Sequence, residues 1–180
     1  MTTHSIDITH SEIGFTVRHM MFAKVRGQFK TWTAAIAYDP ANITSSKVSV
    51  DIDTASIDTR EPQRDTHLRS ADFFDTETFP KMTFVSKRIE AQGSGQYKLV
   101  GDLTIRGTTN EVTLEVEKSG DGKDPWGNQR LGFTAKGSIS RGAFGLKWNQ
   151  ALEAGGVLVS DKVDLDIEVQ VVAKADTVAA

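Results

Sequence analysis

The chain of 180 residues contains no cysteine. That absence removes disulfides, thiolate metal sites and thiol nucleophiles together, and it leaves the redox compartment open. No apolar run approaches transmembrane length, so stable membrane insertion is not expected. Dense runs of lysine and arginine are also missing. A net charge of −3 argues against nucleic acid or an anionic membrane as a primary partner, since both favour a clustered basic face. The stretch Met1–Asp7 has no basic start, no signal-like apolar run and no small-residue cleavage site. The expectation is a cytoplasmic protein, although a periplasmic chain trimmed of its leader would read the same.

Signs of catalysis are equally sparse. His4, His10, His19 and His67 show neither His-x-His nor His-x3-His spacing, and no metal or other cofactor is expected. Ser11 beside His10, and Ser70 near His67 and Asp72, hold the atoms of a nucleophilic triad without its nucleophile-elbow context. Asp58 and Asp65 are candidates for a paired acid and base, but nothing in the sequence buries either. No residue is assigned a catalytic role.

What the chain has in quantity is two-residue alternation. From Tyr97 to Arg106 the apolar positions are Tyr97, Leu99, Leu103 and Ile105, with Gly101 in phase and Val100 the one exception. Such a strand has one apolar and one wet face. Val112, Leu114 and Val116 repeat the pattern, as do Val163, Leu165, Ile167, Val169 and Val171. So do Ile13, Phe15 and Val17, then Val48, Val50 and Ile52, then Leu131, Phe133, Ala135 and Ile139. Half-buried antiparallel strands drawn from the whole length predict one all-β domain over residues 1–180, with its core at about 6–172 and a frayed tail at 173–180. About eight strands at meander spacing favour a closed antiparallel up-and-down barrel, because closure removes exposed edges.

The connections are predicted from turn residues and parity. A first strand pair spans Ile6–Val17, and Arg18–Phe22 reads as a short helical turn. A long strand follows over Val25–Tyr38, with Val25 and Phe29 on one parity and Trp32, Ile36 and Tyr38 on the other, which predicts a bulge or corner near Thr31. Gly93-Ser94-Gly95 and Gly120-Asp121-Gly122 mark hairpin loops, and Arg106-Gly107 a tight hairpin. The segment Glu61–Phe74 is expected to form one or two turns of helix across a barrel mouth. Trp148-Asn149-Gln150 and Gly155-Gly156 belong to a loop that acts as a lid or is simply a long turn.

Several segments, in order, carry a family resemblance. They are His10-Ser11-Glu12-Ile13-Gly14-Phe15-Thr16-Val17-Arg18-His19-Met20, Val25-Arg26-Gly27-Gln28-Phe29, Ser56-Ile57-Asp58-Thr59, Arg64–Phe74 and Gly101–Thr109. Arg141-Gly142-Ala143-Phe144-Gly145-Leu146 and Asp161-Lys162-Val163 extend the set, which resembles the YceI family over roughly residues 6–172. The resemblance implies a lipocalin-like barrel whose lengthened apolar interior holds a polyisoprenoid, as an isoprenoid lipid or as the tail of a quinone. Many members carry a periplasmic secretion signal, from which this sequence departs.

Inward parity supplies candidates for the wall of such a tube: Phe15, Val17, Phe29, Phe84, Leu103, Ile105, Leu114, Phe133 and Ile139. The same side chains would equally interdigitate and fill a core. Arg18, His19, Arg64 and His67 are head-group candidates, since guanidinium binds phosphate as a fork and imidazole donates or accepts. The competing reading pairs Asp65 and Asp72 with Arg64 and Arg69 to hold the segment against the barrel, and makes Arg18 and His19 the polar side of a turn. The functional expectation is a non-enzymatic carrier or store of a long isoprenoid, with a possible homodimer through an apolar mouth. The alternatives are a structural or stress-related interaction module with a filled core, or an enzyme on an apolar substrate.

Overall fold

The alternating segments form eleven strands and one α-helix in a computed structural model that describes residues 2–153 and 155–173. In chain order they are β1 (Thr2–Ile6), β2 (Glu12–His19), β3 (Ala23–Phe29), β4 (Trp32–Tyr38), β5 (Lys47–Asp53), β6 (Ile57–Asp58), α1 (Pro62–Arg69), β7 (Lys81–Gly93), β8 (Gln96–Ile105), β9 (Thr108–Lys123), β10 (Gln129–Ser140) and β11 (Val159–Ala173). Every pairing is antiparallel, and β1 meets both β4 and β11, closing the ring β1-β4-β5-β7-β8-β9-β10-β11. That ring is the eight-stranded barrel read from the sequence.

The eleven strands reduce to eight because three paths around the barrel are interrupted, the third where β5 gives way to β6, which pairs with β3 as β5 does with β4. β1 and β2 both run along β11, with Ile6 opposite Val171 and Glu12 opposite Glu168. They are therefore two lengths of one path and not the hairpin pair expected over Ile6–Val17. A 3-10 turn at Ile8–His10 separates them, with the Asp7 carboxylate accepting from the Thr9 backbone N–H. β3 and β4 make the next path, broken at Lys30–Thr31, where the inward side chains change from odd (Phe29) to even (Trp32). The parity switch in the sequence is this corner. A second switch, from Phe84 to Ile89, coincides with a register shift between Ser86 and Arg88 in β7.

Three expected connections differ. Arg18 and His19 lie in β2, and residues 20–22 make a tight turn to β3, with Met20 at φ 52° and Met21 at φ 68°. A helical turn would have ended the alternation at Val17, whereas the pairing of His19 with Ala23 carries the sheet past it. Gly120–Gly122 continue β9, and the hairpin comes later because Asp124 accepts from the Trp126 and Asn128 backbone N–H groups and folds the chain over Gly127. Ala173, expected in the tail, pairs with Gln129 in β10, and the rest of that tail lies outside the described residues. The Arg106-Gly107 turn is as expected, with both residues in the left-handed region (φ 49° and 73°) that suits strand twist.

Helix α1 begins where Glu61 caps the Gln63 and Arg64 backbone N–H groups and Pro62 presets the first turn. Asp65 in its first turn and His67 and Arg69 in its last suit the helix dipole. One cluster of buried side chains, including Phe29, Trp32, Ile57, Phe73, Phe84 and Phe144, lies at the helix end of the barrel. Another, Tyr38, Leu131 and Val171, closes the far end.

Candidate functional site

Between the two clusters the barrel is hollow. A cavity of about 300 Å³ runs from Ile43, Tyr38 and Tyr97 at the far end to Val159, Arg141, Leu68 and Phe74 at the helix end. It stands at the lower end of the roughly 300–1,000 Å³ usual for ligand pockets. Leu165, Ile167 and Val169 point inward yet are only half-buried, because they border open space and not other atoms. The lining on β11 runs from Val159 to Val169. At about 3.3 Å per residue and the usual barrel tilt, that is a tube roughly 25 Å long.

The sequence candidates separate cleanly. Phe15, Val17, Phe29, Phe84, Leu103, Ile105, Leu114, Phe133 and Ile139 all border this cavity. None of the four head-group candidates does. Arg18 is exposed, on the outward parity of β2 beside Lys24 of β3. His19 sits at the end of that strand opposite Val159. Arg64 is occupied by Thr59, donating from Nε to its hydroxyl at 2.8 Å and from a terminal nitrogen to its carbonyl at 2.7 Å. The Thr59 hydroxyl in turn donates to the buried Asp65 carboxylate at 2.5 Å. His67 Nε2 lies 2.8 Å from Asp72, and its ring meets Trp148 edge to face at 4.7 Å.

The polar block is thus a clamp, though not the arginine–aspartate pairing expected. Asp65 holds Thr59, and Arg69 donates to the Ala55 and Ile57 carbonyl oxygens. Backbone acceptors win because residues 55–59 pass directly beside α1, while Arg64 and Asp65 reach the same threonine from adjacent positions. The loop carrying Trp148 is tied down as well: Asn149 donates to the Val159 carbonyl and accepts from its N–H. Trp148, His67 and Phe73 form one aromatic group that roofs the helix end.

The residue that pattern reading passed over is Arg141, the charged side chain of the cavity lining. It is 7 % exposed and stands 5.9 Å from the Phe73 ring centroid. Its donors reach four backbone carbonyls: Nε to Ser160, one terminal nitrogen to Leu146 and Trp148, the other to Val159. Burial pushes its pKa below the ordinary guanidinium value, and Asp161 pulls the other way. A signal for it was present. Arg141 is the next odd position after Ile139, in phase with the inward face of β10. At the far end the cavity is bordered by Tyr38, whose phenol burial pushes up in pKa, and by Tyr97 and Ser46. Among the described residues, no three His, Asp or Glu side chains gather as a metal would require.

The same architecture occurs in solved proteins. A Campylobacter jejuni YceI protein is 33% identical with a TM-score of 0.77, covering 97% of this chain and 100% of its own. Burkholderia cenocepacia BcnA is 26% identical with a TM-score of 0.81, covering 92% and 99%. A polyisoprenoid-binding domain from Saccharophagus degradans shares the fold at 16% identity and a TM-score of 0.65, covering 96% and 99%. Among sequences, a UPF0312 protein of Staphylococcus epidermidis is 42% identical over 167 residues, 92% of this chain and 95% of the relative. The family model described as a YceI-like domain matches residues 4–171, and the chain belongs to that family.

Proposed function

We propose that the protein binds, stores or transports a long-chain polyisoprenoid lipid, or an isoprenoid quinone by its tail, within the barrel and without transforming it. The observation that carries this reading is a tube lined almost throughout by apolar side chains, with a single charged residue, Arg141, on its wall among the described residues. Sugars, nucleotides and peptides would each bury several unpaired polar groups there, at about 1–3 kcal/mol apiece. A hydrocarbon instead gains about 0.8 kcal/mol per buried methylene, so contact is ample and the length of the tube decides which chains fit. With carbon–carbon bonds near 1.5 Å, an extended isoprene unit advances about 5 Å, and about five units fill a 25 Å tube. A longer tail must fold back or protrude.

Arg141 is the anchor for the head group in this reading. A guanidinium has five N–H donors. Four carbonyls already engage it, which leaves one for a ligand. One donor suits the single oxygen of a quinone carbonyl or a prenyl alcohol better than a diphosphate, which takes a two-pronged fork. Carriage is favoured over turnover because the lining has no histidine, carboxylate or lysine among the described residues. A filled-core interaction module would leave no such space. The likeness in fold to the polyisoprenoid-binding domain agrees with the proposal. A cytoplasmic site of action remains part of it, to be checked by cell fractionation.

Trp32 lines the tube and is buried, so it reports occupancy. Adding a long-chain isoprenoid quinone to the delipidated protein should quench its fluorescence at one ligand per chain, and an isoprenoid alcohol should compete. Quenching that fails to saturate at any stoichiometry would overturn the reading.

A further inference from the structure

The tight turn joining β2 and β3 presents an apolar tip that the cavity does not use. Met20, Met21 and Phe22 are 40 %, 56 % and 74 % exposed. Met20 and Met21 both hold left-handed backbone, φ 52° and 68°. That conformation is ordinarily supplied by Asn or Gly, and long apolar side chains there point to a role outside folding. The tip is braced: the Met20 N–H donates to the Leu158 carbonyl at 2.8 Å, and Met21 lies over Gly156 beside the exposed Val157.

Positive charge stands behind this tip on the outward face of β2 and β3. Arg18 and Lys24 face each other directly across the two strands, both exposed. Arg26 follows on the same outward face. None of the three has a carboxylate partner among the described residues. Like charges placed opposite one another cost stability in a sheet. The net charge of the whole chain concealed this patch, because three cations within nine residues form no run and are outweighed by carboxylates elsewhere. Val17 and Val159, on either side of the turn, line the cavity. Between them the ladder of β11 with β2 is interrupted from Val159 to Val163, where the Arg18 N–H donates to the Ser160 hydroxyl in its place.

We infer that the β2–β3 hairpin docks on an anionic lipid bilayer, with Met20, Met21 and Phe22 entering the interface and Arg18, Lys24 and Arg26 meeting lipid phosphates. Apolar side chains backed by cations are the composition that partitions into such a surface. A second copy of the chain fits less well. Three tip residues fall far short of the roughly 800 Å² per partner of a stable interface, and a symmetric contact would bring both sets of cations together. Docking sets this interrupted seam towards the bilayer, where a lipid tail passes between membrane and barrel. The inference deepens the carrier reading, but its test needs no bound ligand.

The test is cosedimentation with vesicles of phosphatidylcholine, with and without phosphatidylglycerol, alongside fluorescence of a Phe22→Trp variant. The wild type should sediment with the anionic vesicles, less so at high salt, and the indole that Phe22→Trp places at the tip should shift its emission to the blue on them. Arg18→Glu with Lys24→Glu should weaken partitioning by about tenfold or more, at roughly one lipid-facing charge each. Phe22→Ser, at an exposed position, should lose binding with the thermal transition unchanged. Wild-type protein that stays in solution, or a Phe22→Ser protein that binds equally, would overturn the inference. So would a dimer in sedimentation equilibrium that Phe22→Ser dissolves, since the tip would then be a self-association surface. Vesicle binding by a protein that neither yields an isoprenoid on extraction nor takes up added long-chain isoprenoids would refute the carrier reading and leave docking intact.

Discussion

The Arg141 guanidinium stands 5.9 Å from the Phe73 ring centroid, charge against π face, on the wall of an apolar tube. Phe73 joins this cation to the aromatic roof of His67 and Trp148. The same side chain pins residues 146–148 and 159–160, so the anchor proposed for the ligand is also a fastener of the loop above it.

Arg141→Met keeps the length but strips four carbonyl oxygens of their donor. The expected loss is about 3 kcal/mol, or roughly 6–12 °C in the thermal midpoint for a domain of this size. Arg141→Lys should recover part of it, since an ammonium supplies three donors and no fork. Calorimetry on the three proteins decides the matter, and equal midpoints would refute the fastening role.

Filling the tube should separate binding from folding. Ala135 lines the cavity on β10. Ala135→Phe puts a ring into the open space, and quinone binding should fall at least about tenfold, the equivalent of 1.4 kcal/mol, while thermal stability holds or rises. Unchanged binding by a well-folded variant would show that the ligand sits elsewhere.

Two glycines should answer differently to alanine. A Cβ on Gly27 would come within 2.3 Å of Phe15 Cζ, the end of a side chain that can swing into the tube. A Cβ on Gly101 would meet Phe84 at 2.4 Å and also the Val85 carbonyl at 2.6 Å, and backbone cannot step aside. Gly101→Ala should cost about 1–3 kcal/mol. Gly27→Ala should cost less but weaken ligand binding, because the displaced ring takes up space. Chemical denaturation beside ligand titration tests the contrast.

Acid should loosen the far end first. Arg130 reaches Asp7 at 2.7 Å and Asp124 at 2.9 Å. Burial pushes the Asp124 carboxyl up, but hydrogen bonds from Asn128, Arg130 and the Trp126 backbone outweigh it and hold the pKa at about 2, against an ordinary 3.8. Thr9, Arg130 and His10 hold Asp7 low as well. A carboxyl whose pKa is depressed on folding stabilises above its unfolded value and loses that contribution as pH falls towards the folded one. Asp124→Asn should therefore be less stable than wild type near pH 6, with the gap closing between about pH 4 and pH 2. A gap independent of pH would exclude the linkage.

Much of the fold was legible because each strand buries one face, and period-two alternation records that directly. Even the corner at Lys30–Thr31 showed as a change of parity between Phe29 and Trp32. What alternation does not record is which strands meet. β1 and β2 read as a hairpin pair, yet both lie along β11, at the other end of the sequence. The wall of the cavity was legible for the same reason as the strands. The head-group candidates were not, since an arginine in a polar block looks the same whether it faces a ligand, as proposed for Arg141, or Thr59, as Arg64 does. Composition drew attention to α1, whereas phase with Ile139 pointed to Arg141.

The most direct test is organic extraction of the protein, purified under nondenaturing conditions from its native host, followed by mass spectrometry. The account predicts about one isoprenoid lipid or quinone per chain, recovered from wild type and largely absent from Ala135→Phe. An empty extract, together with failure of the wild type to take up added long-chain isoprenoids, would contradict it.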